Sequence, residues 1–228
     1  MNATGSEFAA FRFARRPVEL AVHLAPVEPQ VAVNSRVRFG LEEARAVVDH
    51  QVSWEVSRAG IYGLDLRTDP ELLVTDVAAD GLEDWQANGG TLRLRVGKRV
   101  LGACQVKVRL ERSLSELPPE LGFAPLRVEG AVRESAFIGA ESTPGLQLKT
   151  RSVSGAREIP VNALPERGEE LLAFRAETGD WRVVLGIERL APRGVAEVFN
   201  LITIGDGTVG GRASLRYVIV NQGAQQFR

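Results

Sequence analysis

The chain is predicted to be all-β, made of antiparallel β-sandwich units, on three observations. Apolar and polar side chains alternate with a period of two along most of the sequence. Turn-forming dipeptides recur between those stretches, and helical periodicity is nearly absent. Strands with one wet face belong to antiparallel sheets, because buried parallel strands are apolar on both sides. The 228 residues suffice for one large domain or two of roughly 100, each with its own core.

Taken in order, the first alternating stretch carries Val18, Leu20, Val22 and Leu24 on one side, with Glu19, Ala21 and His23 on the other. Residues 47–56 read as extended. Leu92, Leu94 and Val96 alternate with Arg93 and Arg95; Val106, Val108 and Leu110 alternate with Lys107, Arg109 and Glu111. Residues 126–132 and 146–149 are strand-like, and Trp181, Val183, Leu185 and Ile187 repeat the scheme. Turns fall at Asp80-Gly81, Asn88-Gly89-Gly90, Pro118-Pro119, Thr143-Pro144-Gly145 and Asp206-Gly207. The one helical signal is a turn or two at residues 164–172, with Pro165 near its start and Glu166, Glu169 and Glu170 early.

An internal repeat organises these elements. Glu7-Phe-Ala-Ala-Phe11-Arg12 matches Glu170-Leu-Leu-Ala-Phe174-Arg175 at an offset of 163, which also carries Val18, Leu20, Val22 and Leu24 onto Trp181, Val183, Leu185 and Ile187. Pro29 falls on Pro192. After a one-residue slip around Val31 and Val195, Trp54 falls on Tyr217, Val56 on Ile219 and Gly60 on Gly223. Periodicity on this scale predicts a tandem array. Residues 1–6 read as a leader, since Gly5-Ser6-Glu7-Phe8 is what two adjacent cloning sites encode. Residues 7–115 form the first expected sandwich unit, 116–121 a Pro-rich linker, and 122–228 the second unit, in which 170–228 repeats 7–65. In the alternative, a swap, the intervening segment 66–169 completes both sandwiches. If the second unit lacks counterparts of residues 72–112, it exposes a sheet edge with unpaired N–H and C=O groups. Residues 120–169 then close that edge, or another copy pairs with it.

Phe11-Arg12 and Phe174-Arg175 before an alternating strand, the Val/Leu-rich ladder and the Gly-containing closing hairpin resemble the immunoglobulin-like or fibronectin-III-like sandwich repeats of large bacterial surface or envelope proteins. The resemblance implies a modular, extended, non-catalytic protein at the cell surface or secreted. It departs from antibody-type domains, having no Cys…Trp…Cys spacing.

Composition excludes several function classes. A net charge of −1 gives no long-range field to attract nucleic acid or anionic membrane. The single Cys104 rules out an intrachain disulfide framework and a thiolate zinc cluster. Cys104 lies in a strand and is expected to be a buried, inert thiol. No apolar run approaches the roughly 18–20 residues of a membrane helix. The first eight residues lack the basic and apolar regions of a signal peptide.

Four constellations bear on chemistry. Gly205-Asp-Gly207-Thr-Val-Gly210 fits a dinucleotide-loop pattern, but the strand-like residues 212–220 follow it where a helix is needed, so a hairpin turn is expected. Asp49, His50 and Ser53 suggest a triad, yet alternation in a strand sends Asp49 and His50 to opposite faces. The acidic run Asp65, Asp69, Glu71, Asp76, Asp80, Glu83 and Asp84 offers oxygen ligands for calcium at diffuse spacing, and solvated loops explain it without an ion. Trp54, Tyr62 and Trp85 are candidates for sugar stacking; Trp54 belongs to the repeat and is expected in the core, which leaves Trp85 and Tyr62 as possible ligand-facing aromatics.

The expected function is therefore a structural or interaction module, without catalytic residues or cofactor, whose partners are other modules or copies of itself through sheet edges. The alternative is a carbohydrate-binding sandwich using exposed aromatics and calcium.

Overall fold

The computed structural model describes residues 12, 14, 19, 21, 23, 25–191 and 193–221. Strands β1 (Gln30–Leu41) and β2 (Arg45–Arg67) form an antiparallel hairpin at the centre of the largest sheet. β5 (Thr91–Ser113) pairs along β2, and β3 (Leu73–Ala79) and β4 (Leu82–Asn88) pair with opposite halves of β5. On the other side β8 (Ala131–Ser142) runs parallel to β1, an exception to the antiparallel expectation, and is followed outward by β11 (Leu172–Ala176) and β10 (Ala156–Ile159). The short β7 (Arg127–Val128) pairs with the end of β2. A second sheet has the order β6 (Glu120–Phe123), β12 (Arg182–Arg189), β9 (Leu146–Ser154). Strands β13 (Arg193–Gly205) and β14 (Thr208–Val220) form a third sheet, two-stranded among the described residues. The described residues are thus all-β, with one 3-10 turn at Val161–Ala163.

Two apolar clusters fill the interior. The first lies between the two larger sheets: Val37, Phe39, Leu41, Ala46 and Val48 meet Leu121, Phe123, Leu148, Val183 and Leu185. Phe39 stacks on Phe123 at 4.5 Å between ring centroids, and Phe123 meets Trp181 edge-on at 5.9 Å. The second cluster joins Val31, Val33, Val52, Trp54 and Val56 to Val74, Val77, Leu92, Leu94 and Val128. It exists because the long β2–β5 ribbon bends. Its register shifts between Val56 and Gly63, where Arg58 has φ 67° and, on the facing strand, Gly102 has φ 93°. A left-handed residue other than glycine costs roughly 1–2 kcal/mol. Bulges of this kind bend a strand and increase its twist, so Leu66, Leu92 and Leu94 return to the same core as Val52 and Val56.

Three expectations change. Residues 164–171 form bends and lead directly into β11, so the expected helical turn reduces to Val161–Ala163. Glu166 and Glu170 there serve tertiary ion pairs with Arg36 and Arg38 instead of a helix N-terminus. Residue Glu120 of the expected linker opens β6, and the first cluster draws side chains from both sides of residues 116–121. Residues 120–159 supply strands to a sandwich that contains β1–β2, and none pairs with β13–β14. The alternating positions Val18, Leu20, Val22 and Leu24 lie outside the described residues; Glu19, Ala21 and His23 are exposed and outside any strand.

Candidate interaction surface

The β13–β14 hairpin differs from every other part of the fold. The side chains described along both strands are exposed. Directly opposed residues of an antiparallel pair share a face. One face therefore carries the pairs Ala196–Tyr217, Val198–Leu215, Ile202–Gly211 and Ile204–Val209. Ile202, Ile204 and Val209 are 67%, 79% and 75% exposed. The turn is Asp206-Gly207, with Gly207 at φ 73°, where glycine carries no Cβ penalty. The Gly205–Gly210 pattern thus closes a hairpin, as the strand-like sequence after it predicted.

The pairing register of this hairpin is that of β1–β2 shifted by a constant 163 positions. Val33 faces Trp54 where Ala196 faces Tyr217; Ser35 faces Val52 where Val198 faces Leu215; Leu41 faces Ala46 where Ile204 faces Val209. The one-residue slip expected at Val31 is not needed. On β1–β2 the matching face is core: Val33, Val37, Phe39 and Leu41 are at most 2% exposed.

The outer face of the central sheet is polar. Arg109 donates to both carboxylate oxygens of Asp49, at 2.8 and 3.0 Å, from the directly opposed position on β5. Arg36 pairs with Glu166 and donates to its carbonyl oxygen at 2.8 Å, and Arg38 lies 3.4 Å from Glu170. Glu170 is buried, and its carboxylate accepts the Gly168 N–H at 2.6 Å. Burial pulls its pKa up, but the backbone N–H groups of Glu170 and Gly168 and the Arg38 charge outweigh that and hold it below the usual value. Arg36, Arg38, Asp49, Lys107, Arg109 and Glu166 line a cavity of about 370 Å³. The sequence reading missed this cavity. Its signal was two pairs of cations at i, i+2, Arg36–Arg38 and Lys107–Arg109, on strands not yet known to share a sheet.

The triad residues do not converge. Asp49 faces outward to Arg109, while His50 is 3% exposed and its Nδ1 has no hydrogen-bond partner among the described residues. Burial pushes the His50 pKa down to about 4, against the opposing pull of Asp49. The Ser53 hydroxyl accepts a bond from Gln105 at 3.2 Å.

The acidic run is dispersed among strands and turns. Arg93 donates to both oxygens of Asp65, the nearer at 3.0 Å; Glu71 pairs with Arg112; and Asp69 accepts the Glu71 N–H at 3.0 Å. Among the described residues no three His, Cys, Asp or Glu side chains stand together for a metal ion, and no helix is long and apolar enough to cross a membrane.

Trp54 and Trp181 are each 4% exposed, whereas Trp85 is partly buried against the second cluster. Tyr62 is 65% exposed and lines a shallow depression with Asp65, Arg93 and Glu129. Among the described residues the ring pairs are Phe39–Phe123 and Phe123–Trp181, and neither Tyr62 nor Trp85 belongs to them. Cys104 lies opposite Trp54 on β5 and is half-buried, less enclosed than expected, because the register shift begins two residues away at Gly102.

No protein-family model and no curated protein matches the chain. Solved structures do. An M1 zinc metallopeptidase from Deinococcus radiodurans is similar at 7% identity and a TM-score of 0.44, over 82% of this chain and 47% of that one. A two-domain M1 zinc metallopeptidase variant bound to L-tryptophan is similar at 6% identity and a TM-score of 0.41, over 82% and 48%. The chain spans about half the length of these proteins. Identities this low and TM-scores below 0.5 leave their chemistry with them.

Proposed function

We propose that the chain is a non-catalytic interaction module of a repeat protein, and that the β13–β14 hairpin is its docking surface and a second copy of β1–β2. The observation that carries this reading is an apolar, solvent-exposed hairpin whose register equals that of the core hairpin at a constant shift. β1–β2 is flanked by β8 and β5, and its inner face is covered by both clusters. Among the described residues β13 and β14 pair with each other and with no other strand. A two-stranded hairpin alone is marginal in water, and a large exposed apolar patch marks an interaction site. In this reading the repeating unit runs from β1 to β12, and β13 opens the next one.

Amide hydrogen exchange at low protein concentration tests the reading. The β13–β14 amides are expected to exchange through low-energy local opening, and those of β1–β2 only near the global unfolding limit. Equal protection of the two hairpins at the lowest concentration would show that the second is not an open surface, and the reading would fall.

A further inference from the structure

We infer that the cavity on the outer face of the central sheet binds a small organic anion through a carboxylate, seated over Gln51 between Arg36 and Lys107. The site is separate from the β13–β14 hairpin and does not depend on the docking-surface reading. Opposed residues share a face and successive ones alternate, so the register sorts the cavity floor into two rows. One row runs Arg38, Asp49, Arg109 and Asp76 across β1, β2, β5 and β3; the other runs Arg36, Gln51, Lys107 and Ala78. Neighbouring strands lie about 4.8 Å apart, which sets the Arg36 and Lys107 backbones about 10 Å apart with Gln51 midway.

The rows differ in how their cations are neutralised. In the first, Arg109 is gripped by both oxygens of Asp49 and opposed by Asp76. Arg38 faces Glu170, a buried carboxylate fixed by the Gly168 N–H. In the second, Arg36 pairs with Glu166, whose side chain is 77% exposed, and a solvated pair of this kind contributes little. Arg36 also donates to the Glu166 carbonyl oxygen at 2.8 Å, so the loop stays attached by its backbone when the carboxylate leaves. The side chains of Gln51 and Lys107 line the cavity and take part in no hydrogen bond or ion pair among the described residues. Unused donors and surplus positive charge therefore meet at one end of the cavity. The next row toward the β1–β2 turn carries Glu141 and Glu111, which confines an anion to that end.

The group that Arg36 already holds is a carboxylate, and this sets the chemistry of the ligand. An external carboxylate takes the same guanidinium and adds the Lys107 ammonium and the Gln51 amide, neither of which is bonded to Glu166. Glu166 is then an internal competitor. The volume of about 370 Å³ is near the small end of ligand pockets, so the ligand is a small molecule.

Titration of the full chain with succinate, followed by the NMR signals of Arg36, Gln51 and Lys107, tests the site. These signals should shift saturably with a dissociation constant at or below about 1 mM, and succinamide, of the same size without the charge, should leave them in place. Lys107→Gln, at an exposed and unpaired position, should weaken succinate at least about fivefold with an unchanged melting temperature, and Arg36→Gln should do the same. Glu166→Gln removes the competitor and should tighten binding at least about twofold. Glu55→Gln makes the same charge change on the same sheet face outside the cavity and should leave the affinity as it was. Absence of saturable shifts, equal binding of succinamide, or a smaller effect of Lys107→Gln overturns the inference. So does tightening by Glu55→Gln equal to that by Glu166→Gln, which would show only general surface charge. Inorganic phosphate that binds the same residues more tightly than succinate overturns it too, because the recognised group would not be a carboxylate.

Discussion

The β1–β2 and β13–β14 hairpins share a pairing register and a two-residue turn but not an environment. Position 39 on the first is Phe39, fully buried and stacked on Phe123; the corresponding position on the second is Ile202, two-thirds exposed. Val48 beside Phe39 is buried, and its counterpart Gly211 is exposed. A strand's inward face is defined by what lies across from it, and only the first hairpin has the β6–β12–β9 sheet there. The register follows from turn length and alternation, both local properties, whereas burial is supplied by distant chain.

Paired substitutions should give the largest contrast. Phe39→Ala removes a ring from the centre of the first cluster and should cost about 3–5 kcal/mol. Ile202→Ala, at the matching position on the open hairpin, should stay within about 0.5 kcal/mol. Urea unfolding at a concentration where the chain is monomeric measures both. Similar losses would mean that β13–β14 is part of the cooperative core.

The next contrast is one of pH. His50 sits on the core face of β2, and the corresponding residue on β14 is Ala213. With a folded pKa near 4 against about 6.5 unfolded, the unfolded chain binds the extra proton between those values. Stability from this site is complete above about pH 6.5 and is lost as pH falls toward 4, by roughly 3 kcal/mol at most. His50→Ala installs the residue found on the second hairpin. It should lower stability at neutral pH by leaving a cavity, yet flatten the slope between pH 4 and 6.5. An unchanged slope would assign the pH dependence elsewhere.

Sequence alternation revealed strands, turns and the fact that Trp54 and Trp181 belong inside while Trp85 is less enclosed. It also placed Asp49 and His50 on opposite faces. Partnership was not legible. Nothing local says that β8 runs parallel beside β1, or that the β2–β5 register shifts opposite Gly102, because bulges and crossovers are settled by distant packing. For the same reason Glu166 and Glu170 read as the start of a helix, although each is held by an arginine of β1, Arg36 and Arg38. The hairpin was legible in Asp206-Gly207 between two strand-like stretches, but not that β13 and β14 would form a sheet separate from the other two among the described residues.

Two smaller tests concern residues 62–85, which lie on the core side of the comparison. Glycan titration followed by tryptophan fluorescence should change little, because Trp85 rests against the second cluster and Tyr62 stands apart from it. A saturable change that Tyr62→Ala abolishes would favour the carbohydrate-binding reading over the docking one.

The smallest effect is expected from a chelator. Residues 65–84 carry carboxylates that would suit a hard cation if they converged, since calcium takes six to eight oxygens. Instead Asp65 is gripped by Arg93, Glu71 pairs with Arg112, and Asp69 closes its own turn through the Glu71 N–H. A cation here would first have to displace guanidinium groups that already neutralise two of these carboxylates. EDTA should therefore move the melting temperature by less than about 3 °C, which corresponds to around 1 kcal/mol for a domain of this size. A larger drop, restored by added calcium, would mean that the arginines yield to an ion. The acidic stretch would then be a second feature, besides burial, that separates the β1–β5 region from the open hairpin.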